Sequence, residues 1–342
     1  MKAAFVKKFN KVKIRDIPLP RPEKNEVLVK IKACGVCGSD FIEAKAWAKN
    51  WKRFGHEIAA TVAEIGSEVK IFAVGDQVLI ALSAPCGVCV RCKEGNHRKC
   101  NHLILAEQGG FADYLLVKDQ RLLHKVSPPL PAALACFAEP LTVILDAFHL
   151  ASLAKKSHLL IVGGGNMGSM ALLTAKIFGA KVQGVLGRKL NSNLSACLNE
   201  TGGDFFPWHM IANLIITAPA TLQQKLSQLS GKIVVLHTAP PCYIANYLDL
   251  LPYNTTIVNI GISALPKRNK FKIDFSKLIF KRLQVMSAFP VPCMHFPEAL
   301  SLLQKHSRLF SLLSTEQMPL EKLPEVIKNK KGQKRKILIT MK

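Results

Sequence analysis

The chain has 342 residues, 49% of them hydrophobic, which is long enough for two domains that each bury a core. The first twenty residues alternate charged and apolar side chains, which excludes a signal peptide or a membrane span there and predicts a cytoplasmic protein. The most apolar later stretch, residues 132–154, contains Glu139 and Asp146. Since both charges would be costly in a bilayer, we expect a buried helix there and no membrane partner.

A net charge of +24, from 47 Lys and Arg against 23 Asp and Glu, is unusual for a metabolic enzyme. Such a charge admits a nucleic acid, a membrane surface or a phosphorylated ligand as partner. The basic residues concentrate in 267–282 and 328–342. Because runs of one charge are usually solvated faces, we expect no specific nucleic-acid partner.

The first 150 residues read as short apolar runs separated by Gly, Pro and Asn, a pattern that predicts an all-β domain. The runs are residues 3–6, 27–35, 57–66, 76–82 and 112–117. From residue 159 the pattern changes to a strand, a Gly-rich turn, a helix over 169–180 and a strand over 181–187. This βαβ alternation predicts a parallel, doubly wound sheet.

Further strands are predicted at 213–217, 232–236 and 256–262, with a helix over 243–251. Either 212–219 or 231–239 supplies the fourth strand of the sheet; we prefer 231–239, because the following helix and strand then fall at βαβ spacing. The apolar strand 337–341 is expected to return to the first domain. The predicted domains are therefore 1–149 with 290–342, and 150–289.

Four cysteines follow one another at short spacing in a glycine-containing loop: Cys86, Cys89, Cys92 and Cys100. Four thiolates in this spacing predict a closed, tetrahedral structural zinc site. The other thiols have apolar neighbours in sequence, where a small buried hydrophobic role is expected; besides Cys37 they are Cys34, Cys136, Cys197, Cys242 and Cys293.

A second, discontinuous set of residues comprises Cys37, His56, Glu57 and Glu139. Taken singly, each has a plain structural explanation. Together they offer one sulfur, one imidazole and carboxylates, a mixed set that leaves one position for water or substrate, as a catalytic zinc requires.

A third motif, Gly163, Gly165 and Gly168, has the spacing Gly-x-Gly-x-x-Gly directly after a strand and at the start of a helix. In this position the glycines permit a tight turn, the approach of a pyrophosphate and close helix packing. The motif predicts a dinucleotide site.

In order and approximate spacing, these segments resemble the zinc-containing medium-chain alcohol dehydrogenases over essentially the whole chain. Glu139 stands where long-studied alcohol dehydrogenases place a third cysteine, as in the polyol (sorbitol-type) branch. The resemblance implies an α/β protein with a GroES-like β-rich catalytic domain and a Rossmann cofactor domain. It also implies hydride transfer between a nicotinamide and an alcohol or carbonyl substrate, two zinc ions per chain, and a homodimer or homotetramer.

By the same resemblance, Cys37, His56 and Glu139 surround the catalytic zinc, with Glu57 as an alternative or exchanging ligand. Asp40 would accept a hydrogen bond from the other nitrogen of His56, and Ser39 would pass the substrate proton outward. Two positions depart from the pattern: Ile42 stands where many members have a histidine of the proton relay, and Ala60 where many have a glycine.

The end of the second Rossmann strand predicts the cofactor. Leu186 and Gly187 occupy the place where an acidic residue would bind the adenosine ribose, and Arg188 and Lys189 follow. A small residue followed by arginine leaves room for a 2′-phosphate and supplies a planar donor for it. We therefore expect NADP to be preferred, with NAD possible.

The loop of residues 41–54 lines the substrate cleft in relatives. It carries Trp47, Lys49, Trp51, Lys52 and Arg53. Clustered positive charge there suits a phosphate or carboxylate on the substrate; the alternative is a solvated loop with packed tryptophans.

Two other functions stay open. One is a biosynthetic ketone, aldehyde or imine reductase of the same fold. The other, of a different class, is a basic protein that binds nucleic acid or a membrane surface on a relic dehydrogenase scaffold; its binding would depend steeply on salt, without turnover.

Overall fold

Short apolar runs form most of the strands in this computed structural model, which describes residues 1–187, 190–207, 220–329 and 335–341. The strands are β1 (Lys2–Lys7), β2 (Lys11–Asp16), β3 (Val27–Gly35), β4 (Lys52–Arg53), β5 (Glu57–Ile65), β6 (Gln77–Ile80), β7 (Ser83–Ala84), β8 (Ile104–Leu105), β9 (Tyr114–Val117), β10 (Leu123–Lys125), β11 (His158–Val162), β12 (Lys181–Gly187), β13 (Asp204–Pro207), β14 (Ile233–His237), β15 (Thr256–Asn259), β16 (Gln284–Ser287), β17 (Thr315–Pro319) and β18 (Lys336–Thr340).

The α-helices lie mostly after residue 130. They are α1 (Gly38–Ile42), α2 (Val90–Lys93), α3 (Ala132–Ala135), α4 (Ala138–Leu150), α5 (Asn166–Ile177), α6 (Ser192–Thr201), α7 (Ala220–Ser227), α8 (Phe275–Lys281), α9 (Phe296–Lys305), α10 (Ser307–Phe310) and α11 (Leu323–Lys328). A π-helical turn, Glu43–Trp47, follows α1, and the main 3₁₀ segment is Pro241–Leu250.

The chain divides into two units, Met1–Thr142 with Pro290–Lys342, and Val143–Phe289. The division lies inside α4, whereas the boundary expected from the sequence lay at its end, between residues 149 and 150. We describe the two as the β-rich unit and the parallel unit.

In the β-rich unit, a seven-stranded sheet has the order β10-β6-β5-β3-β18-β17, and β9 also pairs with β3. β3 is central: it pairs with β5 along one side and with β9 and then β18 along the other. Because both of its edges and most of its two faces are covered, its sequence is almost continuously apolar. The predicted return of the last strand to the first domain is confirmed, since β18 is antiparallel to β3.

The parallel unit is a six-stranded sheet of order β13-β12-β11-β14-β15-β16. All of its pairings are parallel, and its first strand lies in the middle, so the chain reverses direction across the sheet at β11, as in a doubly wound fold. The preferred fourth strand, 231–239, is confirmed as β14. The competing segment 212–219 lies outside the described residues. The helix predicted over 243–251 is present as the 3₁₀ segment Pro241–Leu250.

The apolar segment Ala132–Leu150 passes a length and composition test for a membrane span, but 72% of its most apolar window is buried inside the protein. Glu139 and Asp146 within it are 6% and 3% exposed. The buried helix expected from these two charges is confirmed.

Candidate metal centres and nucleotide-binding turn

The four clustered cysteines converge on one point in the β-rich unit. The Sγ atoms of Cys86, Cys89, Cys92 and Cys100 all lie within 4.8 Å of one another. Cys86 and Cys92 are 3.9 Å apart, as are Cys89 and Cys100. Zinc–sulfur bonds of about 2.3 Å in a tetrahedron require sulfur atoms about 3.8 Å apart, so the four thiols fit a zinc ion.

Backbone amides favour the thiolate form in this loop. The Cys86 N–H donates to Cys100 Sγ at 3.3 Å, and the Cys89 N–H donates to Cys86 Sγ at 3.4 Å. Backbone N–H groups of Asn101 and Cys92 lower the pKa of Cys89 to about 6. Backbone amides thus lower the pKa of Cys86 and Cys89, whereas burial raises the pKa of Cys92 to about 12, so the amides favour the thiolate at two of the four cysteines.

A second set of metal ligands comes together at the start of α1 and of β5. Cys37 Sγ, one nitrogen of His56 and one carboxylate oxygen of Glu57 lie within 4.8 Å of one another. Cys37 is the N-cap of α1, where Asp40 accepts a hydrogen bond from its N–H at 2.8 Å. The donor set of sulfur, imidazole and carboxylate suits zinc with a free coordination position.

The predicted partners of His56 lie on its two sides. Asp40 Oδ1 is 3.7 Å from Nδ1, longer than a hydrogen bond, and Ser39 Oγ is 3.5 Å from Nε2. Burial disfavours the charged imidazole, but hydrogen bonding to Cys37 and the charges of Asp40, Cys37 and Glu139 outweigh it and raise the pKa of His56 well above its usual value. The pocket thus favours positive charge at this position.

Glu139, on α4, lies near this cluster without joining it. Its carboxylate is not among the ligand atoms within 4.8 Å of one another in the described part of the chain. Burial raises the pKa of Glu139 to about 7, with a further rise from Glu57, while His56 opposes the shift. In this arrangement Glu57 is therefore the carboxylate closer to Cys37 and His56.

Sequence reasoning missed Lys336, the first residue of β18. Lys336 forms an ion pair with Glu57, and the two side chains are 6% and 1% exposed. The sequence feature that could have identified Lys336 is its position directly before the apolar run Ile337–Thr340, because β18 includes the lysine and buries it. Ile42 and Ala60, the two departures from the family pattern, are 3% and 0% exposed and pack in the core.

Two of the four cations of the loop 41–54, Lys52 and Arg53, have partners within the protein. Lys52 pairs with Glu43 at 3.3 Å, and Arg53 donates to the carbonyl oxygens of Gly109 and Tyr114. Trp51 lies beneath Lys13 and Arg15 of β2, at 5.3 and 5.1 Å from its ring. This packing favours the structural alternative for the loop over an anion site.

The glycine turn has the backbone that a pyrophosphate requires. Gly163 has φ +114°, and a Cβ there would lie 2.2 Å from Thr238 Oγ1. A Cβ on Gly168 would lie 2.1 Å from the Gly163 carbonyl oxygen, so only glycine lets α5 approach the turn. Around Gly165, the N-cap of α5, a Cβ would meet nothing within 4 Å, which leaves space for a phosphate at the helix N-terminus.

The residues that would select between nucleotides are partly visible. Leu186 and Gly187 end β12, and neither provides a carboxylate at the position of the usual ribose ligand. Arg188, the residue predicted to select NADP, lies outside the described residues. Nearby, Asn191 caps α6 and donates to the carbonyl oxygen of Gly164 at 3.2 Å.

Comparison with known proteins gives consistent matches. Residues 23–128 match the family model described as the alcohol dehydrogenase GroES-like domain. The chain is 34% identical over 301 residues to L-threonine 3-dehydrogenase of Pyrococcus furiosus, a match that covers 79% of this chain and 77% of the relative. It is 35% identical over 190 residues to sorbitol dehydrogenase of Bacillus subtilis, and that match spans about half of each protein, 53% and 54%.

A solved structure supports the same fold. Galactitol-1-phosphate dehydrogenase from Escherichia coli superposes with a TM-score of 0.81 at 24% identity, covering 99% of this chain and 100% of that one.

Proposed function

Because the chain belongs to the zinc-type medium-chain alcohol dehydrogenases, in their polyol branch, we propose that it is a zinc-dependent oxidoreductase acting on a polyol or another secondary alcohol. One observation carries the proposal. Cys37, His56 and Glu57 bring three different ligand types within 4.8 Å, with two more buried carboxylates beside them. Such a mixed, incomplete donor set is that of a catalytic rather than a structural zinc site.

A zinc ion held there supplies Lewis-acid polarisation of the substrate oxygen, and a bound nicotinamide accepts or gives the hydride. The chain's own residues hold and orient these groups. In this proposal Cys37 and His56 would always bind the zinc ion, and either Glu57 or Glu139 would supply the third protein ligand. Asp40 restrains His56 from the Nδ1 side, and Ser39 accepts the proton that leaves the substrate hydroxyl.

Ile42 bears on where that proton goes next. Its side chain is aliphatic and 3% exposed, so it cannot carry a proton onward from Ser39. A bound cofactor and water would therefore have to provide the onward path that this side chain does not. A second zinc at the four-cysteine loop has no free position and stabilises the fold only.

The cofactor proposed is NADP in preference to NAD. Support comes from the missing carboxylate at the end of β12 and from the sequence Arg188–Lys189 that follows it. Cytoplasmic residence is proposed as well, in keeping with ten cysteines that are all free. We propose a neutral polyol rather than an anionic one as substrate, because Lys52 and Arg53, two of the three cations that suggested an anion site, already have partners.

The first test is metal content. The unmodified protein should carry two zinc ions, Cys37→Ala should lose one and stay folded, and Cys89→Ala should lose the other and unfold more readily, since a structural zinc is coupled to folding. Elemental analysis with thermal unfolding measures both outcomes. Two ions retained by both variants would contradict the assignment.

The second test is turnover. A panel of polyols, their phosphates and simple secondary alcohols, run in both directions with both nicotinamide cofactors, should show oxidation of an uncharged polyol. Activity confined to carbonyl or imine reduction would instead identify a biosynthetic reductase. Salt-sensitive nucleic-acid binding without any turnover would identify the relic scaffold.

A further inference from the structure

The ion pair between Glu57 and Lys336 crosses a strand of the sheet. Glu57 begins β5 and Lys336 begins β18, and β3 lies between these two strands. Strands are about 4.8 Å apart, so the two backbones are separated by about 10 Å. The pair therefore requires a long side chain and an unobstructed path over β3.

Gly35 provides that path. It is paired directly with Glu57 in β5 and with Leu338 in β18, so the three positions face the same side of the sheet. A Cβ on Gly35 would lie 2.0 Å from Glu57 Oε2 and 3.0 Å from Lys336 Cε. Gly35 does not have a positive φ, so what requires glycine here is the space that the carboxylate occupies.

Only one of the two oxygens of the Glu57 carboxylate contacts Lys336. Both oxygens are buried without a hydrogen-bond partner among the described residues, and Oε2 is the one in ion-pair contact with Lys336. One oxygen of this carboxylate also lies within 4.8 Å of Cys37 Sγ and of a ring nitrogen of His56. Glu57 thus lies between two cationic positions, the lysine ammonium and the proposed metal.

Other buried charged and polar groups around this ion pair affect which of the two cationic positions the Glu57 carboxylate contacts. The buried groups that interact with the pair include Cys37, Asp40, Glu139 and Cys136, and the cationic groups of this pocket are Lys336 and His56. An unpaired buried carboxylate is strongly destabilising. Without Lys336, the carboxylate of Glu57 would lose its ion-pair partner and would have only His56 and the metal as positive neighbours.

Resting on the function proposed above, we propose that Gly35 and Lys336 together hold the Glu57 carboxylate away from the metal. We call the space above Gly35 and the Lys336 ammonium the Glu57 seat. Lys336 is then a positioning residue: it sets how strongly Glu57 competes with the substrate oxygen for the ion at Cys37 and His56. The lysine touches neither substrate nor cofactor in this role and acts only through Glu57.

Lys336→Met tests the seat, because methionine keeps the length and removes the charge. The variant should release the ion of the Cys37 site to a chelator about tenfold more slowly, as Glu57 now stays on the metal. Its metal-free form should lose more thermal stability than its zinc-loaded form, which widens the gap between the two melting temperatures. KM for the alcohol should rise about tenfold, with a smaller change in kcat.

Three further variants separate positioning from simple packing. Lys336→Arg keeps the charge and should behave as the unmodified enzyme. Gly35→Ala places a methyl group in the seat and should reproduce the slow metal release even if Lys336→Met fails to fold. In a Glu57→Gln background, Lys336→Met should have no further effect on release. Lys322→Met, which breaks an exposed pair with Glu325, is the matched control.

The outcomes are distinct. If Lys336→Met lowered the melting temperature equally with and without zinc and left the rate of metal release unchanged, the proposal would be wrong. Lys336 would then be a structural residue only. An unmodified protein that retains no ion at the Cys37 site would overturn the proposed function itself.

Discussion

At the scale of single residues, Ser39 is the side chain best placed to start proton transfer. Its Oγ is 3.5 Å from His56 Nε2, at the edge of the ligand cluster, and no histidine stands at position 42 to take part. Ser39→Ala should lower kcat by about two orders of magnitude or more, as expected for losing a positioned proton-transfer group.

Zinc content in Ser39→Ala should not change, and elemental analysis beside steady-state kinetics checks both statements. Ser39→Thr, which keeps a hydroxyl, is the matched control. Turnover in the alanine variant equal to that of the parent would show that the proton leaves by another route.

Arg188 is the residue whose substitution tests the cofactor prediction. A guanidinium that makes a charged hydrogen bond to the 2′-phosphate should give at least a tenfold preference for NADP in kcat/KM, which corresponds to about 1.4 kcal/mol. Arg188→Ala should remove the preference, and Arg188→Lys should keep part of it. A clear preference for NAD in the unmodified enzyme would refute the proposal.

At the scale of elements, α8 and β16 leave an apolar edge on the parallel unit. Phe275, Ile279 and Phe280 of α8 are 67%, 68% and 76% exposed, and β16 ends the order of the parallel sheet. Large exposed apolar side chains beside an open strand edge are typical of an interface between chains.

We predict a homodimer through this edge, joined by strand pairing of β16 across a two-fold axis. Phe280→Glu should shift the protein towards monomer in analytical ultracentrifugation, with the zinc content retained. Phe9→Glu, at a 69% exposed phenylalanine of the β-rich unit, should have no such effect. A sedimentation coefficient that is unchanged in Phe280→Glu would place the interface elsewhere.

At the scale of the whole molecule, the half-buried His124 and the buried His237 predict a loss of stability in acid. Burial lowers the pKa of His124 to about 4 and that of His237 to about 4. Burial is what keeps His237 neutral, because its contact with the Pro240 carbonyl oxygen, 3.1 Å from Nε2, acts in the opposite direction and raises the pKa. The other ring nitrogen, Nδ1, lies 2.9 Å from the Tyr247 hydroxyl.

The sign follows from proton binding. Between pH about 6.5 and about 4 the unfolded chain binds protons at these positions and the folded chain does not, so the free energy of unfolding falls as the pH is lowered. Each histidine contributes a slope of at most about 1.4 kcal/mol per pH unit.

His124→Phe isolates one of these contributions. The substitution keeps the stacking on Phe296, whose ring centroid is 4.6 Å away, and removes the titrating group. Urea unfolding of the zinc-loaded protein at pH 7 and pH 5 should show a smaller loss in His124→Phe than in the parent. Replacement of exposed His102 by glutamine should leave the loss as it is. Parallel pH profiles for parent and His124→Phe would contradict the assignment.

The sequence alone determined the features whose residues lie close together in the chain. The four-cysteine loop and the glycine turn are local, so spacing is enough to predict what they bind. The fold class was predictable for a similar reason: alternation of apolar runs indicated a β-rich GroES-like domain and a Rossmann domain, and the comparisons confirm both. The helix over 243–251 was predictable as well, but its 3₁₀ form was not, because 3₁₀ and α-helices present apolar residues at similar periods.

Only the tertiary structure decided which carboxylate stands next to Cys37 and His56, and what opposes it. Lys336 and Glu57 are 279 residues apart in sequence, and their contact depends on β18 returning beside β3 and on an empty position at Gly35. Likewise, Arg15 and Lys13 meet Trp51 only because β2 and the loop before β4 converge on β1. Long-range strand pairing brings these side chains together, and a period or a motif in sequence contains no information about that pairing.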